Sequence, residues 1–158
     1  MRVGFGFDAH PFDDSRRLVL GGVEIVGSPG LSGHSDADVL SHAIADALLG
    51  AGGLGDLGEH FPSDDRWKDA SSLEILRSVA AMLEGDGTRV VNVDATVVAQ
   101  RPPLAPYRQR VIAAVSDALA VDAHDLSIKV TSTDGLGFTG RGEGIAAYAV
   151  VLVAPATQ

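Results

Sequence analysis

The sequence has 158 residues, 46 % of them apolar and 21 % charged, with 12 Lys+Arg against 21 Asp+Glu for a formal net charge of −9. This is globular composition, it fits one domain over residues 1–158, and it excludes wholesale disorder. The acidic balance excludes nucleic acid as a partner, because the basic footprint such partners need is missing; a phosphate-bearing ligand would be held locally, by metal ions, backbone N–H groups and a few cations.

Met1-Arg2-Val3-Gly4 begins as a strand and has neither the apolar run of a signal peptide nor the character of a transit peptide. No window approaches the ~20 apolar residues of a membrane span, so a cytoplasmic protein is expected. Val3, Phe5 and Phe7 alternate with Gly4, Gly6 and Asp8, the period of a half-buried strand. Leu18 to Leu20 and Val23 to Val26 flank Gly21-Gly22, which predicts a hairpin with a two-residue turn. Gly27 to Gly33 reads as loop. Ser35 with Asp38 three residues on resembles a capping box for a helix running to about Gly50, packed through Val39, Leu40, Ala43, Ile44, Ala47 and Leu48. Gly50 to Gly58 is Gly-rich loop. A second helix is predicted over 69–84, ended by Gly85-Asp86-Gly87. Val90 to Ala99 is a strand stopped by Pro102-Pro103. Pro106 fits the first turn of a third helix running to about Ala120. Strands follow over 126–133 and 145–153, separated by a segment from Asp134 to Gly144 whose glycine density calls for a conformational reason. These elements predict a single α+β domain: a mixed four- to five-stranded sheet with helices packed on one face.

There is no cysteine, so disulfides and thiolate zinc sites are excluded and a zinc site must use His and carboxylate. Asp8 and His10, two apart, project from one face of a strand, with Pro11 expected to stop the pairing there. His42 stands in a row with Asp38 and Asp46, spaced by four on the first helix. Asp8, His10 and His42 together would give three protein ligands and an open fourth position, as in a catalytic zinc, with Asp38 or Asp46 orienting a histidine through its second nitrogen. The plain alternative is a solvated helix face, and the spacing leaves both open. His34, before the predicted cap, would meet an anion at a helix N-terminus, or is a loop histidine without a role. Thr131-Ser132-Thr133-Asp134 offers hydroxyls and a carboxylate for phosphate and Mg²⁺, or an ordinary turn. Arg141, among glycines with Glu143 two residues on, suits a diphosphate or a loop ion pair. His60 and His124 carry no assignment, and Trp67 reads as packing.

Gly6-Phe7-Asp8-Ala9-His10, Leu20-Gly21-Gly22, His34-Ser35-Asp36-Ala37-Asp38-Val39, Asp46-Ala47-Leu48-Leu49-Gly50, Gly55-Asp56-Leu57-Gly58, Phe61-Pro62, Asn92-Val93-Asp94 and the run from Gly137 to Gly144 stand in the order and spacing of one family. From Arg2 to about Val153 the chain resembles the 2-C-methyl-D-erythritol 2,4-cyclodiphosphate synthases of the non-mevalonate route to isoprenoid precursors. The resemblance implies a homotrimer with sites between subunits, and zinc on Asp8, His10 and His42. It implies that 4-diphosphocytidyl-2-C-methyl-D-erythritol 2-phosphate is cyclised with release of CMP. His34 and Ser132 match transition-state stabilisers. A second cation, Mg²⁺ or Mn²⁺, is implied with Asp134 as its protein ligand. Asp8, Ala9, His10, His34, Ser35, Asp56, Leu57, Gly58 and the run Phe61, Pro62, Ser63, Asp64, Asp65 match substrate-binding positions. Ala99 with Pro103, Leu104 and Ala105 matches the cytosine pocket, and Thr131, Ser132, Thr133 and Asp134 the nucleotide phosphates. Phe138 and Arg141 resemble residues of a trimer-axis cavity that takes isoprenoid diphosphates. The sequence departs from the family pattern at Ser63, where Asp is common, at Ser132, where Thr is common, at Asp134, where Glu is common, and at Gly135, where a longer side chain is usual. The competing expectations are a zinc-dependent phosphate-ester hydrolase and a non-catalytic trimer that binds isoprenoid diphosphate.

Overall fold

The computed structural model describes residues 1–156, so 157 and 158 of the expected domain lie outside the described residues. Five strands, β1 (Arg2–Leu20), β2 (Val23–Leu31), β3 (Thr88–Val98), β4 (Leu126–Thr131) and β5 (Gly144–Pro155), form one mixed sheet in the order β2-β1-β5-β3-β4. Among the described residues only β3 and β4 pair in parallel; the other neighbours are antiparallel. The crossover that a parallel pair requires is supplied by helix α4 (Arg108–Leu119). Helices α1 (Val39–Gly52) and α3 (Ser72–Gly85) join α4 on the same face, giving the expected α+β architecture. Of two single-turn helices, α2 (Leu57–His60) begins in the Gly50 to Gly58 segment expected to be loop and runs past its end, and α5 (Gly137–Gly140) lies within the glycine-dense segment from Asp134 to Gly144. Pro106 falls in a 3-10 turn, Ala105–Tyr107, that leads into α4.

The Gly21-Gly22 turn forms as predicted, with φ of +56° and +71°, the left-handed pair that a tight hairpin between right-twisted strands needs. The strands beyond it are longer than the sequence suggested. Pro11, opposite Gly144, is where β1 leaves β5, and from Phe12, opposite Leu31, it pairs with β2. Pro11 therefore marks an exchange of partners, not the end of a strand. The segment Gly27 to Leu31, expected as loop, is the far half of β2 for the same reason.

The alternation in β1 is present but inverted relative to hydrophobicity. Val3, Phe5 and Phe7 are exposed, while Gly4 and Gly6 are buried against α1. A Cβ on Gly4 would lie 1.8 Å from the Ala47 carbonyl oxygen, and one on Gly6 2.0 Å from that of Ala43. The glycines let the backbone of α1 lie directly on the strand, which brings the next residues on that face, Asp8 and His10, beneath the helix. The opposite sheet face carries Val3, Phe5, Phe7, Tyr148 and Val150 uncovered, with the Phe7 and Tyr148 rings 5.0 Å apart.

The cap of α1 is Asp38, not Ser35. Asp38 is fully buried. Its carboxylate accepts from the N–H groups of Gly21 (2.9 Å), Gly22 (2.7 Å) and Ser41 (3.0 Å), and from the hydroxyls of Ser41 (2.9 Å) and Ser72 (2.7 Å). One buried charge thus ties the hairpin turn to the starts of α1 and α3. An amide would turn an NH₂ group toward donors, so Asp38→Asn should cost about 3–5 kcal/mol in a denaturant titration, as breaking a buried, fully hydrogen-bonded charge does. Gly6→Ala should destabilise by about 3 kcal/mol through overpacking, whereas Gly50→Ala, with open space around its Cβ, should stabilise α1 by about 0.5–1 kcal/mol in the same titration.

Candidate active site

Asp8 and His10 from β1 and His42 from α1 converge as their spacing suggested. The Asp8 Oδ2 atom lies 2.8 Å from His10 Nε2 and 3.0 Å from His42 Nδ1, and the two imidazole nitrogens are 3.3 Å apart. Among the described residues this is the one group of three metal-ligating side chains with mutually close donor atoms. Two imidazole nitrogens and a carboxylate oxygen around one point are the donor set of a divalent cation. Burial opposes the charge on Asp8, yet hydrogen bonds from His10 and His42 and their positive charge hold its carboxyl well below the usual carboxylate range. Burial likewise opposes protonation of His42, but the hydrogen bond to Asp8 and the charges of Asp38, Asp8 and Asp36 raise its pKa above the ordinary histidine value.

The second nitrogen of His42 is held by Ser35, whose Oγ is 3.0 Å from Nε2. The sequence had pointed to Asp38 or Asp46 for this role, and neither performs it. Asp38 is consumed by the cap. Asp46 Oδ1 accepts the Leu57 N–H at 3.1 Å. Ser35 could not be found by helical spacing because it lies outside the helix, seven residues before its partner.

That Asp46 contact is nevertheless part of the site. It pins the start of α2, where Asp56 caps the Glu59 N–H at 3.0 Å and His60 Nε2 donates to the Leu54 carbonyl at 2.6 Å. The pinned segment places Asp56, Leu57 and Gly58 in a cleft of about 390 Å³ together with Phe7, Asp8, His10, Asp46 and His42. Ala9 stands between the two β1 ligands and donates its N–H to Asp8 Oδ1. Phe61 is buried edge-on against Trp67, 4.7 Å between centroids, so its ring packs and does not line the cleft. Trp67 is packing, as expected. Pro62, Ser63, Asp64 and Asp65 follow outside the cleft, with Asp64 in an exposed ion pair with Arg66 at 2.6 Å. His34 is half-buried on the segment before α1, and its carbonyl accepts the Asp69 N–H at 3.1 Å. It does not sit at a helix N-terminus: α1 begins at Val39, and the Asp38 carboxylate occupies the end that an anion would use.

The remaining candidates form a separate group. β4 ends at Thr131, followed by Ser132, whose hydroxyl meets Asp134 Oδ1 at 3.0 Å, and by Thr133, hydrogen-bonded to Thr139 at 3.0 Å. Ala99 and Leu104 are buried while Pro103 and Ala105 are exposed, and the Ala99 N–H donates to the Thr131 carbonyl. Asp134 and Phe138 line an open hollow of about 520 Å³ with Tyr148. Arg141 is exposed and paired with Glu143 at 2.7 Å. The register Ala9–Ala146–Val98–Thr131 crosses the sheet in three steps, so Thr131 lies ~14 Å from Ala9 at ~4.8 Å per strand. One chain therefore holds the two groups at the same end of the sheet without bringing them together.

The pattern of the YgbB family matches residues 1–154. The 2-C-methyl-D-erythritol 2,4-cyclodiphosphate synthase of Syntrophomonas wolfei is 56 % identical over 154 residues, 97 % of this chain and 98 % of the relative. The bifunctional IspDF of Campylobacter jejuni superimposes with a TM-score of 0.93 at 40 % identity, covering 98 % of this chain and 42 % of that longer one. The IspF of Plasmodium falciparum in its CDP complex superimposes with a TM-score of 0.86 at 32 % identity, covering 99 % and 97 %. No helix among the described residues is long and apolar enough to cross a membrane. With its pattern matched nearly end to end and a relative 56 % identical over 97 % of its length, the chain belongs to the YgbB family.

Proposed function

We propose that this chain is a phosphorus–oxygen lyase that converts 4-diphosphocytidyl-2-C-methyl-D-erythritol 2-phosphate to 2-C-methyl-D-erythritol 2,4-cyclodiphosphate and CMP. The observation that carries the reading is the joining of the Asp8–His10–His42 trio and the Asp56-Leu57-Gly58 segment in one cleft, on a chain 56 % identical to a synthase of that name. The 2-phosphate oxygen forms a bond to the β-phosphorus, the bond from that phosphorus to the bridging oxygen breaks, and the electron pair leaves on CMP. No water is consumed. Both reacting groups sit on one molecule, so the protein's task is positioning and charge neutralisation.

The donor set fits zinc. Ligands of a four-coordinate zinc are roughly 3.3 Å apart, given bonds of about 2.0–2.1 Å, and the trio's atoms already stand 2.8, 3.0 and 3.3 Å from one another. When bound, the cation would neutralise and orient phosphate oxygens. In the metal-free chain Asp8 holds both imidazoles through the nitrogens that would ligate the cation, and Ser35 holds His42 through its other nitrogen. His34 and Ser132 would donate to the charge developing on the phosphates. Asp134, with Mg²⁺ or Mn²⁺, would serve the nucleotide phosphates alongside Thr131 and Thr133, and Ala99 with residues 103–105 the cytosine.

The ~14 Å between the two groups supports an assembly in which an adjacent copy completes each cleft. The uncovered face of Val3, Phe5, Phe7, Tyr148 and Val150 supports the same reading, because an apolar sheet face of that extent is an association surface. We take the assembly as a homotrimer of one domain each, residues 1–158, cytoplasmic, with Phe138 and Arg141 toward its axis, where an isoprenoid diphosphate would fit.

Incubation of the zinc-loaded protein with the cytidyl substrate and Mg²⁺ should release CMP and the cyclic diphosphate in equal amounts by ³¹P NMR; a linear hydrolysis product would instead mark a zinc hydrolase. His42→Ala should lose zinc and more than about 100-fold in turnover, beyond what loss of an outer hydrogen-bond partner costs, while Ser35→Ala should weaken zinc by about 10- to 100-fold. Metal ligands must be deprotonated to bind, and His42, with its pKa raised, stays protonated to higher pH than an ordinary histidine. In the metal-free protein this raised pKa contributes stability that is present below the unfolded value and lost as pH rises through the folded one. The gain in melting temperature on adding zinc should therefore grow as pH is raised from about 5.5 to 8 across the ordinary histidine range; a gain that shrinks over that range would contradict the ligand assignment.

A further inference from the structure

We infer that Arg16 is a positioning residue for the site, acting through His34 and Ser35. β1 and β2 slip register between Asp13 and Arg17, the kind of irregularity that re-aims a side chain out of a ladder. Arg16 lies in that slip. Its Nη1 donates to the Gly33 carbonyl and its Nη2 to the Ser35 carbonyl. The carbonyl between them, that of His34, is taken by the Asp69 N–H. Three consecutive peptide carbonyls are thus tied down, the outer two by one guanidinium and the middle one by a different segment. Asp36 continues the seam, with its N–H on the Ala70 carbonyl at 3.2 Å and its carboxylate accepting from the Ser72 N–H at 2.8 Å. Asp69 Oδ1 stands 3.8 Å from Nη2, so the guanidinium also has a carboxylate beside it.

The strap has direct consequences for the cleft. Gly33 packs on the ligand ring, since a Cβ there would lie 3.2 Å from His10 Cε1. Ser35 receives Arg16 on its carbonyl and holds His42 through its hydroxyl. Arg16 therefore connects through Ser35 and His42 to Asp8. A planar fork can span two carbonyls at once, and a lysine ammonium cannot hold the same pair in a fixed geometry. Charge alone is not what the position uses.

The role assigned to His34 rests on the proposed reaction, so the test has one arm independent of it. In Arg16→Lys and Arg16→Gln, with zinc still bound at one ion per chain, kcat should fall by about 100-fold, the cost of a misplaced catalytic group, with KM for the cytidyl substrate little changed. In imidazole ¹H–¹⁵N spectra of the metal-free chain, the His34 ring should shift and broaden in both variants while His60 and His124 stay in place. Full wild-type kcat in Arg16→Lys would overturn the fork argument. Loss of zinc and displacement of all five histidine signals in both variants would make Arg16 a structural support only. If the wild-type protein releases no CMP, the reaction reading fails, and an unmoved His34 signal would still overturn the strap on its own.

Discussion

A carboxylate sealed from water must be met by donors on nearly all its lone pairs, or it costs several kcal/mol. Asp38 satisfies this with five donors drawn from three places: the Gly21-Gly22 turn, the first turn of α1 and the first residue of α3. Those places are distant in sequence, and the arrangement exists only when the hairpin, α1 and α3 are all in place. The direction of α1 over the sheet follows from it at one end. Along the rest of the helix, Gly4 and Gly6 remove the side chains that would lift it off β1. His42, one turn in from the cap, is then carried over Asp8 and His10. The metal-ligating trio is a consequence of how the helix is anchored.

The same economy explains the acidic composition. An acidic chain of net charge −9 is an odd host for phosphates until its carboxylates are placed. Asp8 faces two imidazoles, Asp38 and Asp36 face backbone N–H groups, and Asp46 holds the α2 segment. These charges are turned inward to protein donors, so they do not present a repulsive surface to a ligand in the cleft. Asp36 shows what this costs: burial, then the charge of Asp38, pushes its carboxyl above the usual range, and the Ser72 N–H only partly offsets them.

Much of the fold was legible because its signals are local. The period of β1, the Gly-Gly turn, the apolar row of α1 and the proline start of the helix before β4 depend on neighbours within a few residues, and these elements formed close to where expected. The trio was legible too, since i, i+2 on a strand and one residue on the next helix suffice to suggest it. What escaped was set by distant partners. Ser35 scored as a cap because Ser-x-x-Asp looks like one; Asp38 took the cap because Gly21, Gly22 and Ser72 add donors that no local pattern shows. Gly27 to Leu31 reads as loop from its glycine and proline, and becomes a strand because β1 runs past Pro11 to meet it. The outward face of Val3, Phe5 and Phe7 inverts the usual reading of an alternating strand. Local hydrophobicity identifies an apolar face without saying whether this chain's own helices or another surface will cover it.

A reaction that asks mainly for positioning places its demand on the loops around the ligands. The structure meets it by tethering each loop to an element that already carries a metal-ligating residue. The 33–36 segment is tied to β1 by Arg16, and to His42 by Ser35. The 54–60 segment is tied to α1 by Asp46, one turn beyond His42, and closed on itself by His60. β1 and α1 are locked to each other by the glycine contact and by the Asp38 hub. A displacement of either loop relative to the trio would have to break hydrogen bonds to the strand or helix that holds the ligands. The segments that border the cleft and the metal-ligating trio therefore belong to one hydrogen-bonded unit.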